Sequence, residues 1–463
     1  MSSAICTTPP TTLLQSTLKA FRQADLDHLA KREIDPARVR SLDGSRCAAR
    51  SADGVGIDHT GKCIDLGEAY TEWPALDKSH GHTPIKFLPP QASLSQPADP
   101  EAAKHAVSLR AAVNELQFAP SCRTGGDKPI FYMHDLPQVG FGSVIEYAMM
   151  FLGRGLAIGA PLRLGPESSR AWTSQWFCGP QRSLTCYFNL SSCCAVVNAP
   201  GSGHPLVLPR RRDPINVGAR GYNEYGSAWI SSQFASFFFE RMRPQTRSEL
   251  NRRRAGTDRW LRTTRGAGLR SNSDLVIGMH IRRGDSCHLR RYCPPNLTSS
   301  YFAAAAELRS VYGANRILLA TDDVEAAALC GQRILGFECA TQSIERKKFE
   351  SAELIENRVA QHQEGSMSGS AVALDALADI DMLADTDMFV MLLRSCFARV
   401  AYALAMGRKG RPPPIISLEA PWSPFKGLKM GKMKMKMGGG GKGKGGGMRL
   451  RRNLKGAREF SGI

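Results

Sequence analysis

His280, Arg282, Arg283 and Asp285 fall within six residues directly after an apolar run, a grouping suited to a phosphate-bearing ligand. Two adjacent guanidiniums carry about ten N–H donors. They match phosphate oxygens bidentately and stay charged at every relevant pH. Thr321-Asp322-Asp323 and Arg394-Ser395 stand in the same relation to two later apolar runs. A structural ion pair, such as Arg283 with Asp285 or Asp322, is the competing use of the first cluster. The tripeptide Arg283-Gly284-Asp285 mimics an adhesion signal, but its place at the end of a core strand argues against that role. Ser395 suits both a plain N-cap and a phosphate contact at a helix start. Asp379, Asp381, Asp385 and Asp387 have DxD-like spacing. Their position on a helix and at a strand entrance favours capping and solvent over metal ligation.

These residues need strand ends to hold them together. Asp274 to Ile281, Arg316 to Ala320 and Asp387 to Leu393 are continuous apolar runs, each followed by a helical pattern. Strands alternating with helices predict a parallel sheet covered on both faces, whose ligands bind beyond the strand C-termini. Leu275–Tyr402 therefore reads as a Rossmann-like unit with Arg282 and Arg283 on its binding edge. Pro129 to Met133, Val139-Gly140-Phe141-Gly142-Ser143 and the helical stretch Val144–Leu156 make a second strand–turn–helix unit upstream. Gly140 and Gly142 there let a backbone approach a ligand or simply make a tight turn. Ser227–Arg243 reads as a long helix with a core-packing aromatic face, and Arg252–Arg265 as a basic linker. Two amphipathic helices are expected near Thr12–Lys31 and Pro100–Leu116.

Net charge of +19 would suggest a nucleic-acid partner, but twelve Lys and Arg from Lys426 onward face only Glu459, so this tail carries +11 of it. The tail is Lys/Met and Gly/Lys low complexity, which cannot bury a core. No nucleic-acid role is expected of the fold. Thirteen cysteines, with Cys178, Cys186, Cys193 and Cys194 crowded together and Cys287 near Cys293, leave disulfides and free thiols both open. Their spacing does not fit paired zinc knuckles. The sequons at Asn189 and Asn296 lean toward a secretory lumen. No apolar run reaches the roughly 18–20 residues of a membrane span, and Met1–Arg22 lacks a signal-peptide core. On the lumenal reading, a membrane anchor would precede this sequence.

Three blocks in order resemble the α1,6-fucosyltransferases and, more distantly, the bacterial chitin-oligosaccharide and protein O-fucosyltransferases. They are Val276–Asp285 (VIGMHIRRGD), Leu318–Asp323 (LLATDD) and Asp379–Tyr402 (DIDMLADTDMFVMLLRSCFARVAY). The glycine turn at Gly140-Phe141-Gly142 and the helix ending in Arg243-Pro244-Gln245 keep the same order, so the resemblance spans about Lys128–Leu404. It implies an α/β, GT-B-like fold of two Rossmann-like halves facing a cleft, and inverting transfer of fucose from GDP-fucose to a glycan without metal or other cofactor. It implies guanine recognition by His280 and Asp379, and a β-phosphate held by Arg282. Arg283 and Asp285 would shape the donor and acceptor sides, and Asp322, Asp323 and Ser395 would complete the pocket. A Golgi or secretory location follows from it. The expected domains are an N-terminal extension (1–120), an α/β domain (121–262), a donor-binding domain (263–408) and a disordered tail (409–463).

Two departures stand out. The α1,6 enzymes carry a glutamate just beyond the first block as the proposed base, whereas Ser286–Arg291 contains no carboxylate; His288 or Asp285 is the substitute. Their SH3-like C-terminal domain is replaced by the basic tail, so the acceptor need not be the N-glycan core. A non-catalytic GDP-sugar or glycan binder, a protein O-fucosyltransferase-like enzyme, and a nucleic-acid or acidic-surface binder acting through the tail are the competing readings.

Overall fold

The computed structural model describes residues 55–57, 63–65 and 85–419, apart from 96–98, 119–129, 134–138, 159–160, 165–168, 181, 191–205, 208–225, 264–273, 289–292, 295, 352 and 363. The helix expected at Thr12–Lys31 and the low-complexity tail lie outside the described residues. Strands β1 (Val55–Ile57) and β2 (Cys63–Asp65) pair antiparallel. Next come β3 (Ile85–Phe87), α1 (Pro100–Phe118), β4 (Ile130–Met133), α2 (Phe141–Ile158), β5 (Leu162–Leu164) and β6 (Leu206–Val207). Helices α3 (Gly226–Glu240) and α4 (Pro244–Thr263) lead to β7 (Val276–Ile281), α5 (Gly284–His288), α6 (Ala303–Tyr312), β8 (Arg316–Thr321) and α7 (Val324–Gly331). The described chain ends with β9 (Glu338–Thr341), α8 (Ile355–Gln361), α9 (Gly369–Leu383), β10 (Met388–Met391), α10 (Cys396–Lys409) and β11 (Ile415–Ser417).

The protein is a mixed α/β fold dominated by parallel pairing. One sheet has the order β5-β4-β6, all parallel. The other has the order β3-β11-β10-β7-β8-β9, parallel except for the antiparallel edge strand β3. Every residue of β7, β8 and β10 is buried, as expected of strands covered on both faces. Side chains alternate between two buried clusters. Ile277, Met279, Ile281, Val390, Leu392, Ile416 and Leu418 face α6, while Phe389, Met391, Leu393 and Ile415 face the helices α2, α9 and α10. The second cluster continues without a break through α3 to Leu109 and Val113 of α1.

Three expectations need correction. Residues 85–118 are not peripheral: β3 closes one edge of the large sheet, and the buried Gln117 of α1 hydrogen-bonds Leu162 and Leu190. The tail begins later than residue 409, because β11 pairs with β10 in parallel. The basic stretch Arg252–Arg265 is no linker through Thr263 but the second half of α4, which opens with Pro244 as its first residue. Two arginines of this stretch find partners on another helix, and Arg408 of α10 joins them. Arg253 pairs with Asp375, Arg254 with Asp381 and Asp385, and Arg408 with both of those carboxylates. Asp381 and Asp385 therefore knit α4, α9 and α10 together, where capping and solvent exposure had been expected. Asp387 caps no helix either: it accepts from the Val276 N–H at 3.0 Å and so ties the start of β7 to that of β10.

Among the described residues no helix is long and apolar enough to cross a membrane. Among the described residues, disulfides join Cys178 to Cys186, Cys287 to Cys293 and Cys330 to Cys339, while Cys396 is a buried thiol.

Candidate functional site

A cavity of about 240 Å³ opens at the C-terminal edge of the large sheet, walled on one side by Gly140–Ser143 and on the other by the ends of β7, β8 and β10. It gathers Gly140, Gly142, His280, Arg282, Asp285, Asp322, Asp379 and Ser395 from across the chain. Arg283 and Asp323 are not in its wall. Arg283 turns to Glu325 at 2.5 Å and Asp323 at 3.5 Å. Asp323 caps α7 by accepting from the Ala326 N–H at 2.7 Å. Strand alternation accounts for the split, because His280 and Arg282 share one face of the β7 edge and Arg283 has the opposite parity.

Arg282 is clamped between two carboxylates, donating to Asp285 and to Asp322. Each carboxylate is anchored from behind by a backbone N–H: Ile355 donates to Asp285 at 3.0 Å and Arg283 to Asp322 at 2.9 Å. The competing use of the cluster, an ion pair with Asp285 or Asp322, is thus formed by Arg282, while Arg283 pairs with Glu325 and Asp323. A guanidinium has five N–H donors, so this clamp fixes its plane and leaves donors for an incoming oxyanion. The three charges sum to −1, so further positive potential is needed to bind a diphosphate. Helix α10 supplies it. Ser395 is its N-cap but makes no side-chain cap bond, which leaves the first-turn N–H groups and the hydroxyl beside the cavity.

His280 and Asp379 form a buried end of the cavity. His280 is 4% exposed and its ring lies on that of Phe397, centroids 4.5 Å apart and planes 19° from parallel. Burial, reinforced by the Arg282 charge, pushes its pKa down to about 3, so the imidazole is neutral and offers one donor and one acceptor. Burial pushes Asp379 up to about 8; Arg346 pulls it down and Asp375 raises it further. His280 Nδ1 and Asp379 Oδ1 are buried without hydrogen-bond partners inside the protein. Two orphaned polar atoms beside an aromatic ring suit a planar, hydrogen-bonding heterocycle.

The glycines do different jobs. A Cβ on Gly142 would lie 2.6 Å from the backbone N and Cα of Phe397, so Gly142 lets α2 approach α10. Gly140 has open space around it. Sequence reasoning missed Phe397, which looks like an ordinary core residue, and the carboxylates Glu356 and Glu419. Glu419 is 1% exposed, lies 2.9 Å from Arg394, and burial pushes its pKa up to about 7. Alternation of Ile415, Ser417 and Glu419 would have placed it on the cavity face, had β11 been recognised. The His288 side chain lies outside the described residues. Among the described residues no cluster of three or more His, Cys, Asp or Glu is placed to hold a metal ion.

No protein-family model matches this chain, and no curated protein does. Solved structures do overlap it in part. NodZ alpha-1,6-fucosyltransferase soaked with GDP-fucose is 15% identical, with 60% of this chain and 93% of that one covered at a TM-score of 0.32. Fucosyltransferase NodZ from Bradyrhizobium is 15% identical, covering 59% and 93% at 0.32. POFUT1 in complex with GDP-fucose is 9% identical, covering 48% and 57% at 0.27. Overlaps of this size do not bear on the site, whose chemistry rests on its own residues.

Proposed function

We propose that this protein is an inverting glycosyltransferase of GT-B-like build that moves fucose from GDP-fucose to a glycan acceptor without a metal. The observation that carries the reading is one cavity that joins an oriented arginine, a helix N-terminus without a side-chain cap bond and two orphaned polar groups suited to a base. The order of the three resembling sequence blocks supports the same donor. His280 and Asp379 take the guanine, and Arg282 with the α10 N-terminus takes the diphosphate. Expelling GDP concentrates negative charge on the β-phosphate, and a cation already fixed there stabilises that charge more in the transition state than in the ground state. Asp285 and Asp322 serve by holding Arg282 in place, and Arg283 and Asp323 support the loop from outside the cavity.

The three disulfides and the sequon at the exposed Asn296 favour a secretory lumen such as the Golgi. Calorimetry with GDP, ADP and UDP, followed by GDP release from GDP-fucose with a glycan panel, tests the proposal. Selective GDP binding with acceptor-stimulated release is expected. Tight GDP binding without turnover on any acceptor would point to a non-catalytic GDP-sugar binder, and no preference for GDP would refute the donor assignment.

A further inference from the structure

We propose that Glu419 is the general base that takes the proton from the attacking hydroxyl, an inference that rests on the fucosyl-transfer reading. Glu419 follows β11, with the ladder extended by the Leu418 N–H donating to Met391 at 3.0 Å. Parallel neighbours β11, β10, β7 and β8 thus end on one edge with Glu419, Arg394-Ser395, Arg282 and Asp322 in turn. Glu419 and Arg282 stand on the same face of the sheet, two strands apart, which strand spacing puts at roughly 10 Å. An in-line displacement needs that arrangement, with the leaving-group cation and the base on opposite sides of the reacting carbon. In the step, the acceptor oxygen bonds to the sugar C1 as the bond from C1 to the β-phosphate oxygen breaks. Its electron pair leaves with GDP toward Arg282, and the hydroxyl proton passes to the Glu419 carboxylate.

Surroundings fit the role. The Arg394 guanidinium holds the carboxylate in place and opposes the effect of burial, leaving its pKa at about 7, near the working range of a base. Other charged or titratable groups share the wall. Asp285 and Asp322 are committed to Arg282, His280 is neutral, and Cys396 is pushed up to about 12. Asp375 pairs with Arg253 and Lys348, and Glu356 stands at the α8 end of the wall. Burial pushes Asp379 up to about 8, and its titration affects donor binding, hence KM, whereas that of Glu419 affects kcat.

The test uses the full chain with GDP-fucose and either chitotetraose, a biantennary N-glycan or water alone as acceptor. Wild-type kcat should rise with pH through an inflection near 7. Glu419→Gln should lose at least about 100-fold in kcat and the rising limb, with GDP affinity by calorimetry unchanged. Glu419→Asp should keep the limb at an intermediate rate, which a structural role alone would not produce. A Glu419→Gln enzyme with near-wild-type kcat, or with the limb intact, overturns the proposal. Wild type that binds GDP but releases none from GDP-fucose overturns it while sparing the donor site. Wild type that does not bind GDP brings down the fucosyl-transfer reading and this inference together.

Discussion

Gly142 rests directly on the backbone of Phe397, with room for a hydrogen but not for a methyl group, since a Cβ there would sit 2.6 Å from the Phe397 N and Cα. Phe397 in turn stacks on His280, so the glycine turn positions the His280 end of the cavity through one intermediate ring. Gly142→Ala should therefore push the start of α10 away and weaken GDP binding at least about tenfold, of the order expected for overpacking by 1–3 kcal/mol. Gly140→Ala, two residues earlier and with open space, should leave affinity within about twofold. Calorimetric titration of both variants decides it; equal effects would mean that the turn acts some other way.

Arg282→Ala removes the cation and leaves Asp285 and Asp322 facing the ligand uncompensated. Loss of a charge-assisted contact worth about 1.5–3 kcal/mol should weaken GDP roughly 10–100-fold and abolish turnover, with a lowered melting temperature because the buried Asp285 carboxylate loses its cation. Arg282→Lys should recover little, because an ammonium cannot span both carboxylates and a phosphate oxygen. Wild-type turnover in Arg282→Ala would sink the assignment.

GDP affinity should depend on pH through Asp379. In the free protein this carboxyl is protonated below about 8. A guanine presents N–H donors that favour the carboxylate, so the complex prefers the charged form and GDP binding must release a proton. Affinity therefore rises with pH, by up to about tenfold per unit between pH 6 and 8, and levels off above. His280 stays neutral across that window and adds no slope. Binding measured in two buffers of different ionisation enthalpy should show proton release, and Asp379→Asn should flatten the profile.

Glu146 of α2 and Arg399 of α10 form a buried bidentate pair, both contacts at 2.7 Å, with side chains 8% and 5% exposed. Glu146→Gln strips the charge that balances Arg399 and should cost about 3–5 kcal/mol in chemical denaturation. The double variant Glu146→Leu/Arg399→Met should recover part of that loss. Additive losses would show that the two residues are not coupled.

The sequence alone determined three strands of the large sheet, β7, β8 and β10, and the polar clusters at their ends. Val276–Ile281, Arg316–Thr321 and Met388–Met391 are apolar runs buried on both faces, and in a parallel sheet their C-termini share one edge. Local pattern and chain direction suffice for that. Which clustered groups reach the cavity was legible only in part. Side-chain parity separates Arg282 from Arg283, but the clamp on Arg282 draws on the Asp322 loop and on α8. The tertiary structure decided the rest through pairings distant in sequence. A basic stretch resembles a linker until its arginines meet Asp375, Asp381 and Asp385 on another helix. Glu419 resembles the start of a tail until β11 lies beside β10 and turns it toward the cavity. Charges and short edge strands carry little local signal, because what stabilises them is a partner the chain supplies more than a hundred residues away, or from across the sheet.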